Sequence, residues 1–237
     1  MRVAVVIPAR NEAERIAATV TAAARIPGVD SVVVVDDGSV DDTARVATAA
    51  GAQVVRHPRN RGKAAAMTTG AAASSDADVL LFLDADLGET AAGAAPLLAP
   101  VLEGRADMTI ATLPTQLTAG GGHGFVVRLS RWGIVRATGF APVQPLSGQR
   151  ALTRAAFARA LPLASGFGVE TALTIDLLRA GLRVQEVRCD LQHRVTGKDW
   201  RAQRHRLRQF VHVGRALSRR VPPSSVVPRR WRSAGRP

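Results

Sequence analysis

The chain has 237 residues, 46% of them hydrophobic, with a formal net charge of +13. That length and apolar content bury a sizeable core in one large domain or two small ones, which excludes global disorder. The single cysteine, Cys189, excludes an internal disulfide and fits a reducing cytoplasm; no window of about 18 consecutive apolar residues occurs, so no transmembrane helix is expected.

The charge suggests an anionic partner such as phosphate, lipid or nucleic acid. Only Lys63 and Lys198 are lysines, however, and alanine is abundant. An arginine- and alanine-rich codon pool would give the same balance without any function.

The first element is an apolar strand, Val3–Ile7, with no leader-like segment before it. Glu12–Arg25 is Ala-rich and helical, with Asn11 placed as an N-cap and Pro27-Gly28 as the stop. Ser31–Asp36 is a second strand. Ser39 with Asp42 reads as a capping box opening a helix that ends near Ala50, with Gly51 as its C′ residue. Gln53–Arg56 is a short third strand, Gly62–Ser74 a helix, Val79–Leu83 a fourth strand and Asp107–Ala111 a fifth. Leu113–Phe140 reads as a mobile loop followed by an amphipathic helix carrying Arg128, Arg131, Trp132 and Arg136. Ser147–Thr153 is a strand, Arg154–Ala160 and Glu170–Ala180 are helices, and Arg183–Leu191 is extended. Asp199–Arg220 is a basic amphipathic helix with Trp200, Leu207, Phe210, Val211 and Leu217 on one face, stopped by Pro222; Ser224–Pro237 is expected to be disordered.

Strand and helix alternating at this spacing predict βαβ units, an α/β fold with a mostly parallel central sheet and helices on both faces. Ligands in such sheets bind outside the carboxyl ends of the strands. Pro8–Glu12, Asp36–Ser39, Arg56–Lys63 and Asp84–Asp86 all follow strands and fall on one rim. Asp84-Ala85-Asp86 carries the most chemistry. Two carboxylates at the end of a buried strand cost several kcal/mol if left unpaired, so they face a crevice or a cation. Hard oxygen ligands suit Mg²⁺ or Mn²⁺, which bridge phosphates. The backbone N–H groups where Asn60-Arg61-Gly62-Lys63 opens a helix favour an anion.

Four motifs in this order, Pro8-Ala9-Arg10-Asn11-Glu12, Val35-Asp36-Asp37-Gly38-Ser39, Asn60-Arg61-Gly62-Lys63 and Leu83-Asp84-Ala85-Asp86, resemble glycosyltransferase family 2. Leu146–Arg150, Phe167–Glu170 and His193–Lys198 match more loosely. The resemblance implies the GT-A fold, a Rossmann-like sheet with a C-terminal acceptor-side subregion. Residues 1–112 would form the nucleotide-sugar half, 113–198 the acceptor half, 199–221 the basic helix and 222–237 the tail. It implies an inverting, metal-dependent transfer from a nucleoside-diphosphate sugar, UDP-sugar ahead of GDP-mannose, to a small phosphorylated or polyprenyl-phosphate acceptor.

The same resemblance assigns Pro8, Ala9, Glu12, Asp36, Asp37, Lys63, Asp84 and Ala85 to the donor, with Asp37 nearest the base. It makes Asp86 the direct metal ligand, Asp84 a ribose or metal-water contact and His193 a third ligand. Gln149, Arg150 and Glu170 would line the acceptor side. Glu170 would act as general base toward a hydroxyl, or only position an acceptor that is already ionised. The basic helix suits an anionic membrane at the cytoplasmic face. Two rivals are a nucleic-acid-binding module, disfavoured by the lack of tyrosine and by 4% aromatics, and a non-catalytic sugar-nucleotide binder. Oligomeric state, sugar and acceptor stay open.

Overall fold

The computed structural model describes residues 1–113, 124–192 and 211–221. The first half alternates as expected: β1 (Val3–Ala9), α1 (Ile16–Ala24), β2 (Ser31–Asp36), α2 (Thr43–Ala49), β3 (Gln53–Arg56), α3 (Lys63–Ala73) and β4 (Val79–Phe82). A 3₁₀ stretch, Gly88–Leu97, then leads into α4 (Leu98–Leu102) and β5 (Met108–Thr112). After these come α5 (Gly124–Thr138), β6 (Arg150–Thr153), α6 (Arg154–Arg159), α7 (Val169–Arg179) and β7 (Val184–Arg188). Residues 211–218 form α8.

The seven strands form one sheet in the order β3-β2-β1-β4-β6-β5-β7. β6 alone runs antiparallel to its neighbours, with Phe82 opposite Arg150 and Ile110 opposite Arg150 across its two edges. The reversal brings the amino end of β6, and the loop Ser147–Gln149 before it, to the rim where β4 ends.

Alternation along the strands divides the core into two layers. Val3, Val5 and Ile7 of β1 pack with Ile16, Val34, Leu81 and Leu97 on one face; Ala4 and Val6 pack with Met67, Leu80, Phe82, Phe157 and Leu173 on the other. Each fully buried Val, Leu, Ile or Phe stabilises by about 1.5–3 kcal/mol. The Gly70 backbone lies directly on β1: a Cβ there would sit 2.3 Å from Val6 Cγ1. A third cluster, Val126, Ile134, Ile175, Val213 and Leu217, joins α5, α7 and α8, and a 2.7 Å hydroxyl pair, Ser130 with Thr171, ties α5 to α7.

Three local expectations are corrected. α1 begins at Ile16, not Glu12. Asn11 is not an N-cap: it holds φ +57°, its N–H donates to Ser39 Oγ and its Oδ1 accepts from Val40 N–H. The Ser39 capping box does not form, because Ser39 Oγ is used by Asn11 and α2 starts after Asp42 with no side-chain cap. The competing interaction in both cases joins two strand-end loops, which local sequence does not reveal. Gly51, at φ +93°, terminates α2 as read from the sequence. In α8 the buried face is Val213, Ala216 and Leu217, while Val211 is exposed. Trp200, Leu207, Phe210 and the tail lie outside the described residues.

Candidate active site

The carboxyl ends of β1, β2, β3 and β4 and the amino end of β6 meet at one rim. Asp36 and Asp37 leave β2 there, buried at 0% and 5% exposure. Asp37 is spent on the neighbouring loop. Its Oδ1 accepts from Arg61 N–H and lies 2.8 Å from His57 Nδ1, and its Oδ2 accepts from Gly62 N–H. Burial works to raise its pKa, but the bonds from His57, Arg61 and Gly62 prevail and hold the carboxyl below its ordinary value. His57 Nε2 reaches Thr69 Oγ1 at 3.0 Å, so the loop before Lys63 is pinned from β2 and from α3. Gly38 permits this approach; a Cβ would fall 2.6 Å from the backbone of Arg59.

Asp36 differs. Its Oδ1 accepts from Ser39 N–H, but its buried Oδ2 has no hydrogen-bond donor. Arg56 Nε lies 3.2 Å from that oxygen in an ion pair not aligned for a hydrogen bond, and the Arg56 side chain is largely exposed. A buried acceptor left without a donor costs roughly 1–3 kcal/mol.

Pro8 and Ala9 end β1 beside Val35 and Asp36, and Ala9 O accepts from Asp37 N–H. Glu12 N–H donates to Thr43 Oγ1, which stitches the first loop to α2. The Asp84–Asp86 turn is fastened by α1: Thr19 Oγ1 donates to Ala85 O and accepts from Gly88 N–H, and Arg15 donates to Asp86 O. These backbone contacts aim the two half-buried carboxylates at the rim.

Lys63, the first residue of α3, bridges the halves of the site. Its Nζ is 2.8 Å from Asp84 Oδ1 and 2.9 Å from Glu170 Oε1. Burial alone would lower the ammonium pKa; the two carboxylates outweigh it and hold the group above the ordinary lysine range. The second oxygen of Asp84 accepts from Gln149 Nε2 at 2.6 Å. A Cβ on Gly148 would lie 2.6 Å from Lys63 Nζ and 2.7 Å from Asp84 Oδ2, so the bare backbone at 148 makes room for this ion pair.

Of the residues expected on the acceptor side, Glu170 and Gln149 reach this cluster. Arg150 does not. It is 1% exposed, and its guanidinium donates to Ser147 O, Pro145 O, Glu170 O and Thr174 Oγ1. Burial pushes its pKa down to about 10, partly countered by Glu170, Glu186 and Asp84, which leaves it charged at neutral pH. It braces the first turn of α7 from behind the rim. His57, Gly148, Arg15 and Thr19 are the supports that sequence reasoning missed as such; His57 directly after a strand end is the only one with a local signal.

Asp84 and Asp86 supply hard oxygens beside a cation at the helix end, a donor set that fits Mg²⁺ or Mn²⁺ shared with phosphate. His193 lies outside the described residues. Among the described residues, no three His, Cys, Asp or Glu side chains form a closed metal cage.

Comparison with known proteins agrees with this geometry. The profile of Glycosyl transferase family 2 matches residues 4–124. Glycosyltransferase AglJ of Haloferax volcanii is 33% identical over 83% of this chain and 65% of its own length. Glucosyl-3-phosphoglycerate synthase of Mycobacterium tuberculosis is 32% identical over 76% of this chain and 62% of its own. This chain thus spans less than two thirds of the length of both relatives. The solved structure of the mycobacterial synthase with phosphoglyceric acid superposes with a TM-score of 0.78 at 29% identity, covering 94% of this chain and 81% of that one. The same synthase has been solved with Mg²⁺ and UDP, and with Mn²⁺, UDP-glucose and phosphoglyceric acid.

Proposed function

The chain belongs to glycosyl transferase family 2, and we propose that it transfers a sugar from a uridine-diphosphate sugar to a phosphorylated acceptor, with Mg²⁺ or Mn²⁺ bound. The observation that carries this reading is the position of Lys63. One ammonium touches Asp84 on the donor side and Glu170 on the acceptor side, 2.8 and 2.9 Å away. The ligands solved with the mycobacterial synthase support the choice of donor, metal and acceptor class.

Each residue then has a task. Asp36 Oδ2, buried and lacking a donor, accepts an N–H from the base. Asp37, beside it at the end of β2, shapes the loop through Arg61 and Gly62. Pro8, Ala9 and Glu12 line the nucleotide. The Lys63 ammonium faces the diphosphate, where it offsets charge that grows as the bond to the sugar breaks; the N–H groups of Arg61 and Gly62 are taken by Asp37. Asp86 would hold the metal, with Asp84 toward the ribose or a water on the metal, and His193 would serve as a third ligand. A metal bound there adds positive charge beside the leaving diphosphate.

Glu170 orients the acceptor. A phosphate acceptor is already ionised and needs no base; a hydroxyl needs one within hydrogen-bond reach. Arg150 keeps Glu170 in place through its backbone carbonyl. The acceptor is a small phosphorylated acid or a polyprenyl phosphate, both recognised through the same phosphate. A cytoplasmic location, at the membrane surface, fits the single buried cysteine and the net charge of +13. No helix among the described residues is long and apolar enough to cross a membrane.

The test is turnover of UDP-sugars with Mn²⁺ or Mg²⁺ against both acceptor types. Asp86→Ala is expected to lower kcat by about 10²–10³ or more, and full activity in that variant removes the metal assignment. The anomeric configuration of the product, read by proton NMR, tests the inverting course.

A further inference from the structure

We infer that the outer face of α5 docks on an anionic lipid bilayer. Positions 125, 128, 132 and 135 recur at helical spacing and share one side of α5. On that side Phe125 is 67% exposed, Trp132 57% and Val135 41%, with Arg128 exposed among them. The opposite side, Val126, Ser130, Gly133, Ile134 and Thr138, is buried against the domain. Arg131 extends the exposed face: it donates to the carbonyls of Pro142 and Val143 at 2.8 and 2.6 Å, which holds Val143, 60% exposed, beside the helix. Phe125, Trp132, Val135 and Val143 are four of the eight large hydrophobic residues exposed among the described residues. Scattered singly they would need no explanation; gathered on one face they mark a contact surface.

Charge selects the occupant. α5 has three arginines, Arg128, Arg131 and Arg136, and no acidic residue. A second copy packed about a two-fold axis would set these arginines against themselves. A purely apolar partner would strip water from them without a counter-charge. A nucleic acid would satisfy the arginines but leave Val135 and Val143 against a polar backbone. An anionic bilayer meets both demands: Trp132, Phe125 and the valines enter the headgroup boundary while Arg128 and Arg136 reach lipid phosphates and Arg131 holds the loop. The inference stands apart from sugar transfer, because it uses no residue of the rim.

Flotation with vesicles tests it on the full chain. The protein is expected to bind vesicles of phosphatidylcholine mixed with phosphatidylglycerol, to ignore vesicles of phosphatidylcholine alone, and to release in high salt. Arg128→Glu should weaken binding by at least about fivefold, the contribution of one surface arginine, and Trp132→Asp should abolish it. The shift of tryptophan emission on binding should shrink in Trp132→Phe, with Trp200 and Trp231 still present. Both binding variants should keep the thermal shift produced by UDP with Mn²⁺, which separates this failure from a failure of the donor site. No binding to the anionic vesicles, unchanged binding in both variants, or a dimer in solution that Trp132→Asp dissolves would overturn the inference.

Discussion

Lys63 Nζ stands 2.9 Å from Glu170 Oε1, although the two residues lie 107 positions apart and fall in the stretches expected to face donor and acceptor. The pair couples them: whatever draws Lys63 toward a diphosphate also alters the hold on Glu170. Lys63→Ala is therefore expected to lower kcat/KM by about 10²–10³ and to raise KM for the acceptor as well as for the donor. Glu170→Gln should raise acceptor KM while leaving UDP affinity, measured by calorimetry, within about twofold. Donor affinity falling equally in both variants would show that Glu170 belongs to the donor side.

Gly148 gives a test of space. A methyl group there meets Lys63 Nζ and both Asp84 oxygens at 2.6–2.8 Å. These are side-chain ends that can swing aside, so Gly148→Ala should shift Tm by no more than about 3 °C, equivalent to roughly 1 kcal/mol. Mn²⁺ affinity in the presence of UDP, followed by electron paramagnetic resonance, should fall about tenfold or more, a loss near 1.4 kcal/mol. Unchanged Mn²⁺ affinity would show that the ion pair can relocate without consequence.

Asp37 contributes to the acid dependence of stability. Its pKa in the folded protein lies below its ordinary value, so its contribution is complete above about pH 4 and drains away as the pH falls through the depressed folded value. Asp37→Asn turns an amide N–H toward the N–H groups of Arg61 or Gly62 and should cost about 2 kcal/mol at pH 7, or roughly 4–8 °C in Tm. The gap between variant and wild type should close in acid. A gap that stays constant from pH 7 to about pH 2 contradicts the assignment.

Asp36 and Asp37 can be told apart by the base. Asp36→Asn keeps the side chain's shape but turns one carboxylate oxygen into an N–H donor, so discrimination between UDP and nucleotides with other base edges should shrink about tenfold. In Asp37→Asn, UDP affinity should fall through the loop while base discrimination persists. A competition panel of nucleoside diphosphates reads both.

Much of the frame was legible in the chain because two periods alternate cleanly along the first 112 residues. β2 and β3 match their expected spans, Ser31–Asp36 and Gln53–Arg56; β1 runs to Ala9 instead of Ile7, β4 stops one residue early, and β5 is shifted by one residue. Apolar runs such as Val79–Leu83 admit few other roles. Long-range pairings were not legible. Asn11 and Ser39 each present a good local cap, and both are claimed by a contact across 28 residues. Arg150 illustrates the same limit within the site. Its type and motif suggested an exposed anion ligand, yet the antiparallel course of β6 turns it under α7, where carbonyls take its donors. The reversal itself has no local signature, because a short buried strand reads alike in either direction.

The hydroxyl pair between Ser130 and Thr171 fixes α5 against the helix that bears Glu170. An α-helix with its side chains is about 10 Å across. α5 therefore works as a spacer: anything resting on its outer face stands roughly one helix diameter from α7, a height that a lipid-anchored acceptor would have to span.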